Sequence, residues 1–281
     1  MIVHVCGTRG STPAPGRSYS IYGGHTSSIA VAREGRPPEL ILDAGTGIRL
    51  VTELLEGEPF RGSVLLSHLH WDHTHGLPFF AAGDRTDARV DVYMPAQDND
   101  RNLAEVMSPP HFPITNDDLE GDWRFATLPE GSHEIEGYQV LARIIPHKGG
   151  RTFGYRIQAD GVSVAYLSDH GPAELGSGPD GYGPYHEAAL TLARDADLLI
   201  HDAQYLEEDW PKRSHFGHST TSYAIGLAHQ AGVRRLLMFH HDPGRTDDAL
   251  DALSNRWAEE EGVEVIAARE GQVIDVRSVR A

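Results

Sequence analysis

Ser63-Val64-Leu65-Leu66-Ser67-His68-Leu69-His70-Trp71-Asp72-His73 is the stretch on which the reading of this chain turns. Its first half is a short apolar run that reads as a buried strand. Its second half packs three imidazoles and a carboxylate into six residues. Neutral imidazole nitrogen and carboxylate oxygen are the donors that borderline divalent cations prefer. A turn leaving a strand aims alternate side chains at one point, so His68 and His70 share one ion, and Asp72 and His73 point toward a second. Solvated surface histidines are the bland alternative, and the density of donors directly behind a strand argues against it.

Outward from this stretch, the first third alternates short apolar runs with glycine-rich turns: Val3–Cys6, Ser28–Ala32 and Leu40–Leu42 read as strands. Ile48–Leu55 reads as a helix, a further helical stretch is expected from about Leu77 to Ala82, and Val90–Met94 is another strand. Between Pro95 and Gly137 the periodicity fails, as in a functional loop or insert. Later come a strand at Val140–Ile145, another at Val162–Leu167, a helix at Tyr185–Arg194 and a strand at Asp197–Ile200. Ser219–Ala231 is a helix with Ser/Thr at its start, and Arg235–Phe239 a strand. Thr246–Glu261 is amphipathic through Ala249, Leu250, Leu253 and Trp257, and Val263–Ala267 and Val273–Val276 close the chain as strands. Such alternation predicts an α/β fold with parallel pairing and helices outside the sheet. One domain, 1–281, is expected.

The chain has 281 residues, is 40% hydrophobic and 23% charged, and carries a formal net charge of −17 from 41 acidic and 24 basic side chains. Polyanion binding relies on Lys and Arg at phosphates, so long nucleic acid is a poor default partner. A small anion held by metal ions stays open. Cys6 is the only cysteine, which excludes an intrachain disulfide and predicts a buried, inert thiol. With neither a signal peptide nor a membrane-spanning run in view, the expected location is cytoplasmic.

Five positions share one placement. Asp43, His68, Asp169, His201/Asp202 and His240 each follow an apolar run, and α/β folds bind ligands at the carboxyl ends of strands. A two-metal site needs three or four protein ligands per ion and a bridge between the ions. The expected set is His68, His70 and His147 on one ion, Asp72, His73 and His240 on the other, and Asp169 bridging. His241 competes with His240 for the last position. Asp43 is expected to orient a ligand histidine.

The string His68-x-His70-x-Asp72-His73, then a lone His, an Asp and a late His after a strand, resembles the metallo-β-lactamase superfamily; Leu42-Asp43-Ala44-Gly45-Thr46-Gly47 matches its early Asp motif. That resemblance implies a four-layer αβ/βα sandwich with a dinuclear site along one edge. It also implies two divalent ions, zinc first and manganese or iron as alternatives, and suggests a homodimer. His201-Asp202-Ala203-Gln204-Tyr205 and Gly217-His218-Ser219-Thr220-Thr221 resemble the phosphodiesterase and ribonuclease Z-like branch. There the resemblance makes Asp202 and His218 a carboxylate–imidazole pair that protonates a leaving alkoxide or binds phosphate. His215 competes with His218.

Asp72, His218 and Asp202 are therefore the expected catalytic residues, with Arg9 and Ser219 on the substrate; Arg9 offers a guanidinium that matches phosphate bidentately. Met107–Pro113 is a candidate apolar wall with Phe112 or His111 stacking on a ring, and Gly171–Pro184 a candidate movable wall. RNA-processing members carry an arm that grips tRNA, often between the lone His and the bridging Asp. Only 21 residues separate His147 from Asp169 here. The expected function is a dinuclear hydrolase of small phosphodiesters such as cyclic nucleotides. Its alternatives are a lactone or thioester hydrolase, an RNA 3′-processing endonuclease, and a non-enzymatic metal-binding regulatory protein.

Overall fold

A computed structural model describes residues 1–97, 102–258 and 260–277. Positions 98–101 of the Pro95–Gly137 stretch and 259 of the Thr246–Glu261 helix therefore lie outside the described residues. The strands are β1 (Ile2–Gly7), β2 (Ser28–Ala32), β3 (Leu40–Leu42), β4 (Arg61–Leu65), β5 (Arg89–Pro95), β6 (Asp122–Leu128), β7 (Gly131–Ile135), β8 (Tyr138–Ile145), β9 (Thr152–Ala159), β10 (Val162–Leu167), β11 (Leu198–Asp202), β12 (Arg235–Phe239), β13 (Glu264–Ala267) and β14 (Val273–Asp275). They form two seven-stranded sheets, ordered β14-β1-β2-β3-β4-β5-β6 and β13-β12-β11-β10-β9-β8-β7. The described helices are α1 (Ile48–Leu54), α2 (Trp71–Thr74), α3 (Asn102–Val106), α4 (Glu187–Ala193), α5 (Trp210–Arg213), α6 (Thr221–Gln230) and α7 (Asp247–Trp257).

The layers follow from which strand faces are apolar. Val3, Val5, Ile29, Val31, Leu40, Leu42 and Leu65 of the first sheet pack on Tyr155, Ile157, Val164, Tyr166, Ile200, Leu237 and Phe239 of the second. The outer face of the second sheet is covered by α4 and α6, through Ala189, Leu192, Tyr223, Ala224 and Leu227. The outer face of the first is covered by α1 and the segment after α2, through Ile48, Val51, Leu77 and Phe80. This is the four-layer αβ/βα sandwich.

Parallel pairing is only half of the pattern. β3–β6 and β10–β13 run parallel, while β14-β1-β2-β3 and β7-β8-β9-β10 run antiparallel. Two of the antiparallel links are two-residue turns: Glu136-Gly137 joins β7 to β8 and Asp160-Gly161 joins β9 to β10, all four residues at positive φ. Two-residue turns of that handedness match the twist of a hairpin. The stretch expected to be irregular also holds β6 and β7. Each is the edge strand of its sheet, rich in polar side chains, so neither makes an apolar run. Past β4 the expected helix over 77–82 shrinks to one turn, Leu77–Phe79, with a proline at its start. α7 buries Leu250 and Trp257, but Ala249 faces solvent. Among the described residues no helix is long and apolar enough to cross a membrane.

Candidate metal centre

The carboxyl ends of β3, β4, β10, β11 and β12 meet at one edge of the sandwich. There two groups of donors converge, His68, His70, His147 and Asp169, and Asp72, His73, Asp169 and His240, each with its ligand atoms within 4.8 Å of one another. Asp169 belongs to both. Its Oδ2 lies 3.7 Å from His68 Nε2 and 3.5 Å from His147 Nε2, and its Oδ1 lies 3.0 Å from His73 Nε2 and 3.1 Å from His240 Nε2. Asp72 Oδ2 sits 3.3 Å from His73 Nε2 and 3.2 Å from His240 Nε2. Donors sharing one tetrahedral ion lie about 3.4 Å apart when each bond is near 2.1 Å. His68 Nε2, His73 Nε2 and Asp169 Oδ1 are buried without a hydrogen-bond partner, a costly arrangement unless a cation satisfies them. The donor set therefore fits a pair of divalent ions.

Three of the rings, His73, His147 and His240, are held from behind. Asp43 Oδ2 meets His73 Nδ1 at 2.7 Å and also accepts from Ser67 Oγ and the Tyr166 hydroxyl. His147 Nδ1 faces the Gly217 carbonyl at 2.6 Å, and His240 Nδ1 the Gln204 side-chain oxygen at 3.0 Å. Such contacts fix tautomer and ring orientation. Asp43 and His240 both adopt left-handed φ, a strained conformation for an L side chain. His241, by contrast, turns its Nε2 to the Ala268 carbonyl. His240 is thus the member of the pair that faces the cluster.

The electrostatics point the same way. Burial, opposed by the Asp169 charge, lowers His147 to about 4, and burial also holds His68 well below its ordinary value. Both shifts favour the neutral ring, the form that ligates a cation. Burial works against ionising Asp169, yet the facing His240, His73 and His68 outweigh it and keep the carboxylate well below the ordinary range. At His73 burial is outweighed by Asp169, Asp72 and Asp43, which raise it well above its ordinary value. Three carboxylates around one buried ring draw positive charge to this point.

His218 Nδ1 lies 2.9 Å from Asp202 Oδ2. Burial disfavours the charged ring, but the charge and hydrogen bond of Asp202, with Asp169 and Asp72, raise it. Asp202, His218 and His240 also come within ligand range of one another. Asp202 is already engaged, however, with Oδ1 accepting from the Gln204 N–H and Oδ2 from the His170 N–H. His218 lines the cavity at the cluster, about 350 Å³, with Ser11, His70, Trp71, Asp72 and Asp169. His215 is exposed on a 3₁₀ turn with its ring tilted against that of Phe216, so His218 has the placement that an acid facing the cavity requires.

Two residues expected on the substrate are taken up inside the fold. Arg9 is fully buried, donating to the carbonyls of Gly23, Asp242 and Arg245; its guanidinium ties the first loop to the segment after β12. Ser219 is buried too, its Oγ donating to the His170 carbonyl. The loop Gly7–Pro13 acts through its backbone instead: Ser11 N–H donates to Asp72 Oδ2 at 2.6 Å. Gly171–Pro184 does not line the cavity at the cluster, whereas Met107, His111 and Phe112 line a second cavity beside it. Sequence reasoning passed over Gln204, Ser67, Tyr166 and His170. All four lay beside residues singled out from the sequence, but the partners that give them their roles are distant in sequence.

Fold and site together define a metal-dependent hydrolase of the metallo-β-lactamase fold. A profile of the beta-lactamase superfamily domain matches residues 40–241. A ribonuclease Z of Nostoc sp. is 30% identical over 92% of this chain and 90% of its own length. The metallo-beta-lactamase fold protein YhfI of Bacillus subtilis superposes with a TM-score of 0.70 at 18% identity, over 98% of this chain and 99% of that one. The short form of human tRNase Z gives 0.66 at 21%, over 99% and 100%. The chain belongs to the metallo-β-lactamase superfamily and is ribonuclease Z-like.

Proposed function

We propose that this protein is a dinuclear phosphodiesterase, with His68, His70 and His147 on one ion, Asp72, His73 and His240 on the other, and Asp169 shared. Zinc is the proposed ion, because tetrahedral sites rich in imidazole suit it. The pair of cations supplies Lewis-acid charge for the phosphoryl oxygens and a water acidic enough to act near neutral pH. The observation that carries the reading is the buried Asp202–His218 pair at the wall of the metal cavity. With Nδ1 engaged by Asp202, Nε2 is the nitrogen left to donate a proton to a departing alkoxide. Hydrolysis of a lactone or thioester does not need this second acid.

Two substrates compete. The ribonuclease Z relative favours an RNA 3′ end, and this comparison outweighs the composition argument that ranked RNA lower. The short span from His147 to Asp169, filled by the tight hairpin β9–β10, is what still favours a small diester. The test is hydrolysis of bis-p-nitrophenyl phosphate, and of a tRNA precursor with a 3′ trailer, by protein loaded separately with zinc, manganese and iron. His68→Ala is expected to lose metal and turnover together; His218→Ala keeps metal and loses turnover about 100-fold or more. An inactive His68→Ala still holding two ions per chain sinks the ligand assignment. No turnover of either diester sinks the phosphodiesterase.

A further inference from the structure

Beside the metal cavity lies a second one, of about 1100 Å³. Trp71 lines both. Standing between His70 and Asp72, it is 64% exposed, with one face stacked on His75 at 5.5 Å. Phe79, 57% exposed, meets Phe112 edge-on at 5.8 Å in the same cavity, and Met107 joins them. Large aromatic side chains left open to water beside a reaction centre mark a binding surface. The charge of this lining is also unlike that of the chain. Among the described residues no carboxylate lines it, although 41 of 281 residues are acidic, and Arg49 is the one lysine or arginine of that described lining.

We propose that this cavity is a subsite for a planar aromatic ring carried by the phosphodiester, with the ring stacking among Trp71, Phe79 and Phe112 while its phosphate sits at the metal cluster. The inference rests on the phosphodiesterase reading and adds the class of substituent. Aromatic walls select a ring over a flexible chain because stacking rewards a flat π-face. Arg49, with no carboxylate among the described lining residues, tolerates the anionic group attached to it. A nucleobase is the biological ring of this chemistry, from either a mononucleotide or an RNA end.

The test is binding to zinc-loaded protein, read by tryptophan fluorescence and calorimetry, with 1-naphthyl phosphate, octyl phosphate and methyl phosphate as probes. 1-Naphthyl phosphate is expected to bind about tenfold more tightly than either of the others. Phe79→Ala and Phe112→Ala are expected to remove that advantage while leaving methyl phosphate unchanged. Displacement of the naphthyl probe by a mononucleotide, or only by a short single-stranded RNA, assigns the source of the ring, and both results support the subsite. Equal affinity for octyl and naphthyl phosphates overturns it in favour of an acyl chain. A second copy of the chain covering the cavity, seen as a dimer that excludes the naphthyl probe, overturns it as well. Ring-selective binding without turnover of any phosphodiester leaves the subsite standing and removes the phosphodiesterase reading; turnover with no ring preference does the reverse.

Discussion

At the residue scale the centre depends on groups that never touch an ion. Asp43 is fully buried and accepts from Ser67, His73 and Tyr166. Asp43→Asn keeps the shape but withdraws the charge behind His73. Metal affinity, measured by competition with a chelator, is expected to fall about 10–100-fold, with the far-ultraviolet circular dichroism unchanged. Glu270 gives a prediction of a different kind. Burial, offset by the His25 N–H, by Arg9 and by the Gly24 N–H, raises its carboxyl to about 7. Between the ordinary carboxylate range and that value the native state binds more protons than the unfolded chain, so this group's contribution falls as pH rises toward 7 and levels off above it. Glu270→Gln removes the cost of holding a buried charge. The difference in Tm, variant minus wild type, is expected to grow by about 2–4 °C between pH 6 and pH 8; a difference independent of pH refutes the assignment. Cys6 needs no such test, since burial pushes its thiol to about 12 and keeps it inert.

At the element scale, the reach of sequence reading depended on burial. Central strands such as β10 and β12 announce themselves because both of their faces are covered. The edge strands β6 and β7 are masked by polar alternation, and the Asp160-Gly161 turn that makes β9 and β10 a hairpin went unread. The opening loop carries a sharper lesson. A Cβ built on Gly10 would fall 2.4 Å from the His240 ring, so this glycine exists for close approach rather than for a turn. Gly10→Ala is expected to displace His240 and lower metal affinity at least ~10-fold, while the edge of β1 and the bond from Gly10 N–H to the His241 carbonyl keep the loop folded. Two ions bound at wild-type affinity in that variant would show that the loop yields instead.

At the scale of the whole molecule, the metal cluster joins the two sheets. His68 and His73 come from the segment after β4 in the first sheet, and Asp169 and His240 follow β10 and β12 in the second. Ions held across that seam bind the folded state alone, so their removal shifts the folding equilibrium. Dialysis against a chelator is expected to lower Tm by about 5–10 °C at saturating metal, and readdition of zinc to restore it. A chelated protein with unchanged Tm would place the ligands in a rigid frame that gains nothing from the cation.

The local chemistry was determined by sequence alone: His68, His70, Asp72 and His73 stand on one turn, and no tertiary contact is needed to see that their donors share a neighbourhood. The later donors were legible because each follows a strand of its own, and parallel strands deliver their carboxyl ends to one edge. Arg9 and Ser219 were not legible, because burial is a property of the assembled fold. Arg9 is taken up by carbonyls more than 230 residues away in sequence for two of its three partners, and Ser219 by the His170 carbonyl. The choice of His240 over His241 was likewise left to the backbone, whose left-handed φ at His240 turns one ring to the cluster and leaves the other on Ala268. Neighbouring residues carry the same donors, and only three-dimensional packing decides which of them meets the ion.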